Sequence, residues 1–253
     1  MLVVVLTALG VGLATVIGAL IGFLIKKESH KLNDALLAFA GGVMLSAAIV
    51  SLIIPSYNPS DKTSIIITAL GVFCGAFFIS FIDRVVPHLH KLSGVDLNCG
   101  NAEKNAHLNK ILLFVIAIAI HNLPEGLAAG VSFGTGNASQ GMVVAGGIAL
   151  QNIPEGMIII TPMLSSGITK KRTFFIALIT GIIEVVGTFI GYFAVGISTV
   201  ILPFMLAFAG GTMLYVISDE VIPETHAHGH ERLATYMLLL GFIAMLVFDF
   251  FVG

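Results

Sequence analysis

Eight predominantly apolar stretches of about 20 residues recur along this chain, at approximately 2–25, 33–54, 64–86, 110–132, 139–161, 173–195, 199–221 and 233–252. As α-helix, each reaches across the roughly 30 Å hydrocarbon core of a bilayer. A buried soluble core accommodates one or two such segments, but not eight divided by short polar connections. Only 10% of the residues are charged and 57% are hydrophobic, against roughly 25% charged in soluble domains. The expected fold is therefore all-α: a polytopic membrane protein of eight transmembrane helices in one domain, residues 1–253, with its largest loop at about 87–109. The net charge of -2 gives no electrostatic footprint for nucleic acid and no polybasic lipid-binding tract. Cys74 and Cys99 make neither a disulfide framework nor a Cys-x-x-Cys metal clip.

Cytoplasmic loops of membrane proteins concentrate Lys and Arg. Here Lys26, Lys27 and Lys31 follow span one. Arg84, Lys91, Lys104 and Lys110 surround the connection after span three. Lys170, Lys171 and Arg172 follow span five, and Arg232 follows span seven. These alternate connections hold all the basic residues except Lys62, so both termini are expected outside and the 87–109 loop in the cytoplasm. The first stretch lacks a basic leader and a clear cleavage site, and reads as a retained span.

Ala38-Phe39-Ala40-Gly41-Gly42-Val43-Met44-Leu45 in span two returns as Ala207-Phe208-Ala209-Gly210-Gly211-Thr212-Met213-Leu214 in span seven, with one position changed. Copies five spans apart run in opposite directions, the mark of an inverted-topology repeat with its site near the midplane. Small-residue runs also serve close helix approach in any membrane bundle, but that alone does not require so near an identity.

Two further near-copies carry chemistry. Span four holds His121-Asn122-Leu123-Pro124-Glu125-Gly126 and span five holds Gln151-Asn152-Ile153-Pro154-Glu155-Gly156. Each sets a carboxylate at mid-bilayer, where a charge costs about 2.5–3.5 kcal/mol or more and generally marks an ion or substrate pathway. At about 100° per residue, Glu125 falls near 40°, between His121 at 0° and Asn122 at 100°; Glu155 falls likewise between Gln151 and Asn152. Two such arcs, opposed, make a cage of one imidazole, two carboxylates and three amide oxygens. Pro124 and Pro154 cannot donate to the carbonyls of Ile120 and Leu150, which kinks each helix and frees an oxygen beside the ligands. A single Pro-Glu pair is equally a kink with a neutral acid; two copies at matching depth with a histidine point to a divalent-metal site.

Glu184 in span six is a third mid-membrane carboxylate, on a polar stripe with Thr180 and Thr188, and is expected to face the same cavity. Met44 and Met213 are packing residues unless a thioether comes near the site. Asp249 either attracts cations at the entrance or is a solvated helix-end aspartate. His30, His88, His90, His107, His226, His228 and His230 all lie toward the basic connections, where they bind metal weakly or are simply polar.

These residues resemble the ZIP family of zinc and iron transporters, in its prokaryotic branch of broad-specificity divalent-metal importers. The resemblance covers essentially the whole chain and rests on the paired motifs. It implies a two-ion transport site of His121, Asn122, Glu125, Gln151, Asn152, Glu155 and Glu184, with Met44 an additional ligand at the first ion. It also implies inverted halves, spans 1–3 and 6–8, around spans 4 and 5. Asn152 stands where some relatives have Asp, leaving the second ion position with one fewer negative charge.

The expected function is uptake of Zn²⁺, with Fe²⁺, Mn²⁺, Co²⁺ or Cd²⁺ as further substrates, across a prokaryotic cell (inner) membrane. Mixed nitrogen and oxygen ligands are not sharply selective among these ions. The partners are the ions and the lipid bilayer, with no cofactor and no nucleic acid; a homodimer is left open. An intramembrane metal-dependent hydrolase of the His-Glu-x-x-His type is disfavoured, because Asn122 occupies the position of the base. A proton or monovalent-cation channel would have no use for the imidazole and amide ligands. Protonation of His121 or the glutamates competes with metal, so acidifying purified protein is expected to weaken Zn²⁺ binding.

Overall fold

The computed structural model describes residues 1–25, 29–92, 102–197 and 199–253. Helical backbone dominates, and no strand occurs among the described residues. The elements are α1 (Leu2–Gly22), α2 (His30–Ser46), α3 (Lys62–Leu92), α4 (Ala102–Phe133), α5 (Ala138–Ser165), α6 (Lys170–Ile197), α7 (Leu202–Val216), the short α8 (Ile222–Thr225) and α9 (Glu231–Val252). Among the described residues, seven helical segments are long and apolar enough to cross a membrane, and their outward faces bare large apolar side chains such as Phe73, Phe77 and Phe250. Such a surface is far more extensive than soluble monomers expose. The chain is a multi-pass membrane protein.

Within the connection expected at 87–109, α3 reaches Leu92 and α4 begins at Ala102; residues 93–101, with Cys99, lie outside the described residues. So do Lys26 and Lys27, and the side chains of His88, His90, Lys91, Lys104, His107 and Lys110.

Two helices change pitch where a proline interrupts their hydrogen-bond ladder. After α2, Ala47–Ile53 widens to a π-helix ahead of Pro55; after α7, Ile217–Val221 does the same ahead of Pro223. A proline cannot donate to the carbonyl four residues back. The carbonyl that Pro55 leaves free, that of Ser51, accepts instead from Gln140 Nε2 at 3.3 Å. The two π segments follow the two copies of the Ala-Phe-Ala-Gly-Gly repeat at nearly the same offset. By contrast, α4 and α5 run helical through Pro124 and Pro154.

Packing follows a paired scheme. Helix α1 lies along α5 while α6 lies along α4; α3 lies along α7 while α9 lies along α2. Exchanging α1 with α6, α2 with α7, α3 with α9 and α4 with α5 turns each pair into the other. The remaining contacts of α2 with α5 and of α4 with α7 obey the same exchange. Glycine makes these approaches close. A Cβ on Gly18 would overlap the Ile153 carbonyl, and one on Gly156 the Thr15 carbonyl; across the exchanged pair, Gly126 abuts the Glu184 carbonyl and Gly187 that of Leu123. The final glycine of each motif thus docks its helix against a neighbour. The centre is filled by one apolar cluster that includes Met44, Ala47, Ile79, Ile148, Met213 and Met245.

Close glycine approach has a measurable consequence. Gly18→Ala forces α1 off α5 and should cost about 1–3 kcal/mol, as overpacking does. Gly10→Ala meets nothing within 4 Å and should gain roughly 0.5–1 kcal/mol from helix propensity. Thermal unfolding of the two variants in detergent should therefore move in opposite directions.

Candidate metal centre

The motifs bring their polar side chains into the driest part of the fold. Glu125, Gln151, Asn152 and Glu184 are at most 1% exposed, and Asn122, His121 and Glu155 are also buried. Placing so many polar groups there is costly unless each is paired, and the pairing falls into three parts.

Between α4 and α5, Gln151 Nε2 donates to Glu125 Oε1 at 2.5 Å. Between α5 and α6, Asn152 Nδ2 donates to both oxygens of Glu184, at 2.6 and 2.7 Å, and to the Val11 carbonyl at 3.2 Å. Thr15 on α1 adds a donation to Glu184 Oε2 at 3.4 Å. Between α4 and the π segment after α7, His121 Nε2 lies 2.8 Å from Glu220 Oε1. These parts form one electrostatic unit: Glu125 lies within the field of both Glu155 and Glu184, and Glu155 within that of His121.

Helical arcs alone place His121, Asn122 and Glu125 together, and the structure divides them among neighbours. Glu125 faces α5, Asn122 Nδ2 donates to the Thr180 carbonyl of α6 at 3.2 Å, and His121 meets Glu220. Glu184 joins the motif residues through Asn152. Met44 is buried in the apolar cluster with Val43, Ala47 and Ile148. Two participants escaped the sequence reading. Glu220 sits in the last turn of an apolar span, where an acid passes for an interface residue. Thr15 is one of two threonines in an otherwise apolar span, a faint signal of a polar contact.

What the donors leave over defines what the site can hold. Asn122 Oδ1, Glu125 Oε2, Gln151 Oε1 and Asn152 Oδ1 are buried acceptor oxygens with no hydrogen-bond partner. Unsatisfied buried polar atoms are rare in folded proteins; others occur singly at Asp34, Ser46, Ser51, Thr161 and Ser166, but the two motifs contribute four acceptor oxygens, a donor set suited to a cation. Among the described residues no three His, Cys, Asp or Glu side chains close round one point in this conformation, and the amide oxygens of the motifs lie beside the carboxylates as further acceptors.

The centre lies between two cavities. One, of about 430 Å³, is lined by His121 itself together with Ile118, Asp219, Glu220 and Glu224. The other, of about 260 Å³, is lined by Ser51, Pro55, Asn137, Gln140 and Asp249. From Val143, which also lines the second cavity, to Gln151 is about 12 Å along α5, and Val144, Ala145 and Ile148 in that interval are buried in apolar packing. His121 thus sets one edge of the centre against the first cavity.

Comparison with known proteins agrees in one direction. The profile of the family described as ZIP Zinc transporter matches residues 93–249. The chain is 40% identical to the zinc transporter GufA of Myxococcus xanthus over 248 residues, 96% of each chain. It is 36% identical to the zinc transporter ZIPB of Bordetella bronchiseptica, over 95% of this chain and 78% of that one. To the zinc transporter ZupT of Chlorobaculum parvum it is 35% identical, over 93% and 92% respectively.

The amide of Asn152 donates to both oxygens of Glu184, so its replacement should expose what that contact does. Asn152→Asp sets two carboxylates at hydrogen-bonding distance and should lower the melting temperature in chelator, with Zn²⁺ restoring it. Asn152→Leu leaves the buried acid short of its donor, costing about 1–3 kcal/mol or more, and Zn²⁺ should restore little of that loss.

Proposed function

The chain belongs to the ZIP zinc transporter family, whose members are transporters and not enzymes, and from that premise we propose that it carries Zn²⁺ into the cell through the centre formed by α4, α5 and α6. The observation that carries this reading is the set of four buried, unpartnered oxygens on the two motifs beside Glu155 and Glu184.

In this reading the bundle has eight spans, with α4 the eighth, arranged as two inverted halves around α4 and α5. The exchange of helix pairs and the two matching π segments support that arrangement. The basic connections lie in the cytoplasm of a prokaryotic cell and both termini outside, by the rule that Lys and Arg stay inside. The cavity at His121 then opens to the cytoplasm, and the cavity at Asp249 opens outside. Lipid covers the outward apolar faces, and a second copy covers part of them if the chain forms a homodimer.

An ion entering past Asp249 exchanges its water for the motif ligands. The first ion takes His121, Glu125, Gln151 and Glu155, with Met44 added by likeness to the family. The second takes Asn122, Asn152 and Glu184, sharing Glu155. To bind there, Asn152 must turn its oxygen inward and release both oxygens of Glu184, a step that costs more than it would with Asp at this position. The second ion is accordingly the weaker. Release of the first requires His121 to let go, and Glu220, at 2.8 Å in this conformation, is placed to take the imidazole back. Borderline ligands of this type suit Zn²⁺ and admit Fe²⁺, Mn²⁺, Co²⁺ and Cd²⁺. The transported ions are substrates, and no resident cofactor enters the scheme.

Vesicles carrying the wild-type protein should accumulate ⁶⁵Zn, and His121→Ala or Glu125→Ala should abolish that uptake while the proteins still fold. Undiminished uptake by both variants refutes the assignment. Na⁺ uptake without Zn²⁺ uptake would point to a monovalent channel instead.

A further inference from the structure

Beyond the transport centre, the histidine-rich turn between α8 and α9 contains one histidine prepared differently from its neighbours. We propose that His228 and Glu224 form a separate, weak binding site for a divalent transition metal at the mouth of the His121 cavity, with Asp34 as its positioning residue.

The two ligands are four residues apart, where the chain leaves α8 and turns through Gly229 at a φ of 80°. His228 Nε2 stands 4.0 Å from Glu224 Oε1. Zinc-type ions sit about 2.0–2.2 Å from imidazole nitrogen and from carboxylate oxygen, which at a tetrahedral angle sets those atoms about 3.4 Å apart, so an approach of roughly half an ångström between the two side chains admits one ion. Both are partly exposed, which leaves water to fill the remaining positions. Such a two-ligand site holds an ion loosely and releases it readily.

What distinguishes His228 is its other nitrogen. Asp34 on α2 is 3% exposed, and its Oδ1 lies 2.9 Å from His228 Nδ1. A carboxylate only accepts, so Nδ1 is the donor, and in the neutral imidazole Nε2 then holds the lone pair on the side of Glu224. A buried carboxylate fixing the tautomer and orientation of an imidazole is the arrangement found behind metal-ligating histidines. His30, one helical turn before Asp34, stacks on the His228 ring at 4.6 Å and 25°, which fixes the ring plane as well. His226 has no such freedom: Nδ1 contacts the Ile222 carbonyl at 2.9 Å and Nε2 contacts Thr235 Oγ1 at 3.2 Å. His230 has neither the buried carboxylate nor the stacked ring among its described contacts.

Glu224 and Ala227 line the same cavity as His121 and Glu220, which sets the Glu224 and His228 pair at the edge of that cavity. The pair does not depend on the direction of transport, or on transport at all.

The test separates this site from the transport centre. The His121→Ala/Glu125→Ala double variant, purified in detergent, is titrated with Co²⁺ and read by equilibrium dialysis and visible d–d absorption. One weakly held Co²⁺ per chain should remain. His228→Ala on that background should remove it, and Glu224→Gln should weaken it. Asp34→Asn should weaken it by about 10- to 100-fold, as loss of an orienting partner does, and shift its d–d bands. No residual Co²⁺, or residual Co²⁺ that survives His228→Ala unchanged, overturns the site. An unchanged affinity in Asp34→Asn overturns the positioning role. A tight ion retained by the double variant counts against the transport reading alone, because His228→Ala still decides whether this site exists.

Discussion

Three carboxylates in the middle of an apolar bundle set the terms for everything around them. Glu125, Glu155 and Glu184 lie on three helices within one another's fields, where each charge costs several kcal/mol to place. Amides from Gln151 and Asn152 and a hydroxyl from Thr15 offset part of that cost, and the offset is incomplete. A fold that satisfied the acids fully with donors would be more stable and would have no reason to bind a cation. The residual oxygens on Asn122, Glu125, Gln151 and Asn152 are therefore what the proposed function assigns to the ion.

The surrounding architecture holds these groups close without burying them in bulk. Gly126 and Gly156 close their motifs against α6 and α1 at backbone contact, so the helices that carry the acids are fixed relative to the helices that carry their partners. The same contacts are exchanged between the two halves of the bundle. Outside this centre, α2, α3, α7 and α9 form their own glycine-mediated pairs. Two sets of helices, each tightly paired within itself, meet along α2 with α5 and α4 with α7, which is where an ion pathway between the two cavities would run.

Much of this is legible in the sequence because a bilayer allows so few solutions. Apolar runs must be helices, and acids within them must have a purpose, so Glu125, Glu155 and Glu184 could be read as one site before any coordinates. Helical periodicity places residues on an arc, but an arc wide enough for His121, Asn122 and Glu125 touches more than one neighbour. Which neighbour each residue meets depends on packing that no local pattern encodes. Hence Asn122 turns to the Thr180 carbonyl, and His121 finds Glu220, which is 99 residues away in the chain. The π segments are similarly hidden: Pro55 and Pro223 announce an interruption, but the partner that Ser51 O finds, Gln140, lies across the bundle.

The central claim is that the paired motifs jointly hold a divalent ion. Anomalous diffraction from crystals grown with Zn²⁺, recorded on both sides of the zinc absorption edge, tests it most directly. The account predicts an edge-dependent peak between Glu125 and Glu155, within ligand distance of His121. Density confined to surface histidines, with no peak between the two motif helices at saturating zinc, would contradict it.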